Sequence, residues 1–140
     1  MRKNGKRFSL VVLLYLSIFI AGCASVPAGT DISTVALTVN PGPNESVIVV
    51  QRERKTTGSA ISMKVWVNGE EKSSSIRNGQ MVQLIIPNGE HTIQAGGSSI
   101  ERGNEVMFSV NKEIIFFSAK PQVGLVAPRF RLTQTGKRTL

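Results

Sequence analysis

The sequence predicts an all-β fold, a single small antiparallel β-sandwich or a small barrel of about seven to nine strands. Three observations carry that expectation. Apolar and polar residues alternate over short runs between residues 34 and 133, as in strands with one buried face. Turn-forming residues separate the runs, including Asn-Gly pairs at 68–69, 78–79 and 88–89. No stretch of that region carries apolar residues at helical spacing.

The elements follow in order. Val35, Leu37 and Val39 alternate with Thr34, Ala36 and Thr38, and Asn40-Pro41-Gly42-Pro43-Asn44 stops that strand. Val47 to Arg52 is an apolar run turning polar, which suits a strand buried on both faces. Ile61, Met63, Val65 and Val67 alternate with Ser62, Lys64 and Trp66 ahead of the first Asn-Gly. Asn-Gly favours positive φ and the primed two-residue hairpins, so three pairs at a ten-residue step predict a meander. Glu70 to Arg77 has only Ile76 to bury and reads as an edge strand or loop, whereas Met81 to Ile86 reads as a core strand stopped by Pro87. His91 to Ala95 is expected to pair back on it. Gly96 to Ser99 then reads as a flexible turn, Val106, Phe108 and Val110 as one strand, and Ile114 to Ala119 as another, stopped by Pro121. Val123 to Ala127 is a connection, and Arg129 to Thr133 places Phe130 and Leu132 on one face.

The N-terminus has a different grammar. Residues 1–7 contain Arg2, Lys3, Lys6 and Arg7 with no acid, and Phe8 to Gly22 carries no charge. This is a signal-peptide layout, and the apolar run is shorter than the roughly 20 residues of a transmembrane helix. Ile20-Ala21-Gly22-Cys23, which contains the one cysteine of the chain, resembles the lipobox of bacterial lipoproteins. The resemblance implies cleavage between Gly22 and Cys23 and attachment of acyl chains of the palmitate type to the Cys23 thiol. Two or three such chains give stable membrane anchoring where one is marginal. Ala24, where an aspartate would signal inner-membrane retention, makes the outer membrane the default address under the enterobacterial rule.

The expected organisation is therefore a cleaved signal at 1–22, a lipidated cysteine and flexible tether at 23–33, a β domain at 34–133 and a frayed tail at 134–140. A ten-residue tether would span about 17 Å.

Within the domain, Val65-Trp66-Val67-Asn68-Gly69 followed by Ile85-Ile86-Pro87-Asn88-Gly89-Glu90-His91-Thr92-Ile93 is similar to the hairpin motifs of small bacterial envelope domains of the PEGA-like and uncharacterised-lipoprotein kind. The Pro-Glu-Gly-Ala sequence that names one such group does not occur. The resemblance implies a compact sandwich of immunoglobulin-like or transthyretin-like build over roughly Val47 to Leu132 and is almost silent on function, since both motifs are turn chemistry.

Charge and chemistry narrow the function classes. The chain carries a formal +8, but residues 1–22 hold four of its 17 Lys and Arg and none of its nine Asp and Glu. The mature part therefore has 13 against nine, a net of +4. Its basic residues fall in short clusters, Arg52, Arg54 and Lys55, then Arg129 and Arg131, then Lys137 and Arg138, which argues against nucleic acid and allows a weak attraction to anionic lipid or an envelope polymer. His91 is the one histidine, so no zinc triad is expected, and no cofactor is implied. Glu70-Glu71 and Glu90 sit on turns, and Ser73-Ser74-Ser75 and Ser98-Ser99 have no histidine at a motif spacing. Catalytic residues are not expected. The expected role is a non-enzymatic binding or structural module, partnered by the membrane and by another envelope protein or polymer. Lys64 and Trp66 form the candidate binding patch if Trp66 is exposed. The alternatives are a hydrolase or glycan-active enzyme using His91 with an acid or serine, and an accessory subunit that accepts a partner strand at Ser73 to Arg77.

Overall fold

The computed structural model describes residues 31–97, 101–123 and 129–140 and the backbone of 24–25. The signal segment, Cys23, and Ser98 and Ser99 lie outside the described residues. Among the described residues nine strands run in chain order: β1 Ala24–Ser25, β2 Glu45–Arg52, β3 Met63–Val67, β4 Glu70–Ile76, β5 Gln80–Pro87, β6 Gly89–Gly96, β7 Val106–Val110, β8 Glu113–Gln122 and β9 Arg129–Thr139. They form one sheet in the order β1-β5-β2-β8-β9-β6-β3-β4, with β7 also paired to β6. The sheet curls until β4 and β5 touch without forming a ladder, giving a barrel that is nearly closed. The all-β expectation holds in its barrel form, with one pair, β2 and β8, parallel.

Strand alternation builds the interior. Ile48 and Val50 of β2, Ile115, Phe117 and Ala119 of β8, and Phe130 and Leu132 of β9 point into one core with Val65, Val67, Ile93 and Phe108. Phe108 meets Phe117 edge to face at 5.2 Å between ring centres, an arrangement aromatic quadrupoles favour. The other face of the same strands is also covered: Val47, Val49, Met81, Ile114 and Phe116 form a second cluster with Ile32. The continuous apolar run of β2 is thus a central strand buried on both sides, as its sequence predicts.

What covers that second face is the segment expected to form the first strand. Residues 35–39 join no ladder among the described residues, and the chain bends at Val39; Val35, Leu37 and Val39 lie half-buried on the outer cluster. Side chains replace the missing ladder. Gln83 of β5 accepts from Thr38 N at 2.8 Å and donates to Ala36 O at 2.9 Å. Arg138 of β9 donates to Ser33 O and Val35 O, and its guanidinium lies over the Phe116 ring. Asp31 caps the preceding turn, Ile32–Thr34, by accepting from Ser33 N, and that hydrogen bond holds its carboxyl below the ordinary aspartate value. Alternation found the right apolar residues; it could not tell a sheet strand from a strap pinned by side chains.

Two boundaries change. Residues 134–140, expected to fray, continue β9 against β8 as far as Thr139 opposite Glu113, and Leu140 N bonds Lys112 O. The tether is not free along its length, because Ala24 and Ser25 pair with Met81 and Gln80 of β5 and Ile32 is buried. Pro121 does not end β8: beyond Ala119 that strand has β9 alone as a neighbour, so one of its edges needs no donor.

The Asn-Gly pairs also divide. Asn68 and Gly69, with φ of 51° and 78°, make the expected primed turn between paired strands β3 and β4. The other two pairs join strands that do not form ladders with each other, so the meander gives way to corners where the chain changes partners. At the second, Asn78 bonds both the N–H and the carbonyl of Lys55. At the third, Asn88 accepts from Ser46 Oγ and Lys112 N. Each asparagine serves as a side-chain brace as much as a turn residue.

The seam between β6 and β9 explains the glycines of "GGSSIERG". Among the described residues these strands pair directly at Gly96 and Arg129 alone, and residues 101–104 fill the rest. Gly103 N donates to Ala95 O at 2.7 Å, while Asn104 accepts from Leu132 N and donates to Leu132 O. A side chain on Gly103 would overlap Phe130 O, and one on Gly96 would overlap Glu101 O. Close backbone approach, rather than a ligand, requires these glycines.

Candidate functional site

His91 sits on β6, where its ring packs against Phe108. Asn68 in the β3–β4 turn accepts from Thr92 N at 2.9 Å, which orients its amide so that Nδ2 faces His91 Nδ1 at 2.9 Å. The other ring nitrogen, Nε2, lies 2.8 Å from Pro87 O. A carbonyl can only accept, so Nε2 carries the proton and Nδ1 accepts from Asn68. Both nitrogens are thereby committed to joining β6 to two turns. Among the described residues, the ring's hydrogen-bond partners are an amide and a backbone carbonyl.

The acids expected on turns are likewise engaged. Glu70 pairs with Lys72 at 2.7 Å and Glu71 with Lys64 at 3.0 Å, both on an exposed surface where such pairs add about 0–1 kcal/mol. Ser73 to Ser75 lie on β4, the exposed strand that ends the sheet order. Among the described residues, no group of three or more His, Cys, Asp or Glu is placed to hold a metal ion.

The Lys64–Trp66 patch requires correction. Trp66 is only 3% exposed, although it faces away from the interior occupied by Val65 and Val67. The Arg102 guanidinium lies over its ring at 4.7 Å and also reaches Gln94, the residue opposite Trp66 on β6. The seam segment that carries Arg102 therefore folds over the indole. Alternation shows that Trp66 leaves the interior face, but it does not show what a loop 36 residues away puts on top of it.

Arg52 departs furthest from its expected surface role. It has no exposed surface and enters the end of the interior, where Nη1 donates to Ile61 O and Ile76 O, Nη2 donates to Gly58 O at 2.6 Å, and the guanidinium lies over Phe130 at 5.0 Å. Its Nε is buried with no hydrogen-bond partner among the described residues. Loss of water pushes its pKa below the ordinary arginine value. Three backbone carbonyls take the place of a carboxylate and tie the loop after β2 across the barrel end.

Six exposed cations gather at that same end. The register places Gln51 opposite Met81, Arg52 opposite Ala119, Gln122 opposite Arg129 and Met63 opposite Ile76. Arg54, Lys55, Arg77, Lys120, Arg129 and Arg131 are exposed around it. Arg129 contacts Glu101 at 3.4 Å and Lys55 contacts Glu53 at 3.9 Å. Lys120 lies opposite Arg131 across β8 and β9, a like-charge pairing that costs stability. Separate sequence clusters thus converge into one basic face. No protein-family model, curated protein or solved structure matches the chain.

Proposed function

We propose that the chain is a lipid-anchored bacterial envelope lipoprotein, exported by residues 1–22 and acylated at Cys23, whose β-barrel acts as a non-enzymatic binding or structural module outside the cytoplasm. The observation that carries this is the order of features at the N-terminus: four cations in residues 1–7, an uncharged apolar run, then Ile20-Ala21-Gly22-Cys23. Ala24 favours the outer membrane as its address. The commitment of both His91 nitrogens to structural hydrogen bonds supports a module over a hydrolase. Feeding cells a clickable palmitate analogue tests the anchor. Label on the wild type that disappears in Cys23→Ala, with the variant moving to the soluble fraction, is expected; label retained by Cys23→Ala contradicts it.

A second reading concerns assembly. Among the described residues β4 has β3 as its one ladder partner and is exposed along most of its length, and its other edge touches β5 without pairing to it, so that unpaired edge suits strand addition by a partner in an envelope complex. A photo-crosslinking residue at Ser74 yielding one discrete heavier species in cells supports this reading, and no crosslinked species counts against it.

A further inference from the structure

We propose that the basic end of the barrel is a docking face for anionic phospholipid headgroups, so that the domain lies on the bilayer in one orientation instead of swinging on a tether. The proposal rests on the lipoprotein reading for its anchor and adds to it a surface, a ligand class and a geometry.

Two independent placements coincide. The first is where the chain leaves the membrane side: Ala24, one peptide bond from Cys23, pairs with Met81, and Ser25 pairs with Gln80 at the start of β5. The second is charge. Arg77 immediately precedes the turn into β5, and Asn78 in that turn holds the Lys55 backbone by two hydrogen bonds. Arg54 lies directly against Gly79 of the same turn. Three cations are thus fixed beside the residues that follow the acylation site. Lys120 and Arg131 extend the face across β8 and β9 despite being opposed to each other, and Arg52 adds a buried charge behind it.

The opposite end has no such bias. Glu45, Glu70, Glu90 and Glu113 lie there among Lys72, Lys112, Lys137 and the half-buried Arg138. The two ends are separated by the length of β8, ten residues, or about 30 Å along the strand and somewhat less along the axis of a barrel whose strands tilt. That is well beyond the roughly 8–10 Å over which exposed charges act at physiological salt. A negative bilayer therefore attracts one end only, and the short link to the acyl chains holds that end within range.

The test uses full-length protein extracted from membranes and reconstituted in mixed phosphatidylcholine–phosphatidylglycerol vesicles containing a nitroxide-headgroup lipid. A nitrobenzoxadiazole label is placed at Gln122→Cys or Glu90→Cys. Strong quenching at position 122, little at 90, and loss of the difference in high salt, in pure phosphatidylcholine, or in an Arg54→Glu, Lys55→Glu, Arg77→Glu, Arg131→Glu variant with wild-type circular dichroism is the expected result. Equal quenching at both positions, or a difference indifferent to lipid charge, overturns the docking face. Intact mass of the same samples reads the anchor separately. If Cys23 carries no acyl group, the lipoprotein reading fails while the face is still measured by sedimentation of the chain with these vesicles. Binding should then weaken about fivefold per cation removed, and binding that ignores the substitutions overturns the face.

Discussion

Gly103 sits so close to Phe130 that a Cβ on the glycine would overlap the Phe130 carbonyl oxygen and lie 2.9 Å from that of Ala95. Both neighbours are backbone, so neither can swing aside. Gly103→Ala must part the β6–β9 seam, and a loss of about 3 kcal/mol or more in urea unfolding is expected, consistent with the larger costs of core overpacking. Gly69→Ala, where no atom lies within 4 Å of the added Cβ, should lose only about 1 kcal/mol through backbone strain at its φ of 78°.

Arg52 donates to three carbonyls, and removing it takes the guanidinium from Ile61 O and Ile76 O, while Gly58 O keeps the backbone bond from Ile61 N. Arg52→Met keeps most of the volume and discards the buried charge, so desolvation relief offsets part of the loss. Unpaired carbonyls each cost about 1–3 kcal/mol where water cannot reach them. A net destabilisation of about 2–4 kcal/mol is expected, accompanied by faster amide exchange in residues 56–61, whose loop Arg52 ties down.

His91 is predicted to be a structural histidine in a defined tautomer. Nitrogen-15 spectra of the neutral ring should show the proton on Nε2 and Nδ1 bare, with the signals changing in Asn68→Ala. His91→Ala should leave the fold intact at a cost of about 1–2 kcal/mol for two neutral hydrogen bonds. A ring proton found on Nδ1 would contradict the assignment of Pro87 O as the acceptor.

Trp66 should behave as a buried indole. Its emission is expected to be blue-shifted and poorly quenched by acrylamide in the wild type, because Arg102 covers the ring. Arg102→Ala should raise quencher access and shift the emission to the red. Ready quenching of the wild type would restore the exposed patch with Lys64.

The sequence was most informative where one strand face decides burial. β2, β5, β8 and the pair Phe130 and Leu132 are legible from apolar runs and alternation, and Asn68-Gly69 from turn chemistry. It was least informative where a distant side chain substitutes for a ladder. Gln83 and Arg138 turn an apparent first strand into a strap, Asn78 and Asn88 convert presumed hairpins into braced corners, and Arg102 closes over Trp66. The basic face was hidden for a related reason: Arg54, Arg77 and Lys120 are far apart in the chain, and only the register brings them to one end. Arg52, grouped with surface cations by its neighbours in sequence, is buried because the inward parity of Ile48 and Val50 continues to it.

The mass of the mature protein extracted from membranes, wild type beside Cys23→Ala, decides whether Cys23 anchors the chain. A chain beginning at Cys23 and heavier by its acyl groups is expected, with the variant absent from the membrane fraction. An unmodified mass with a free Cys23 thiol would contradict it.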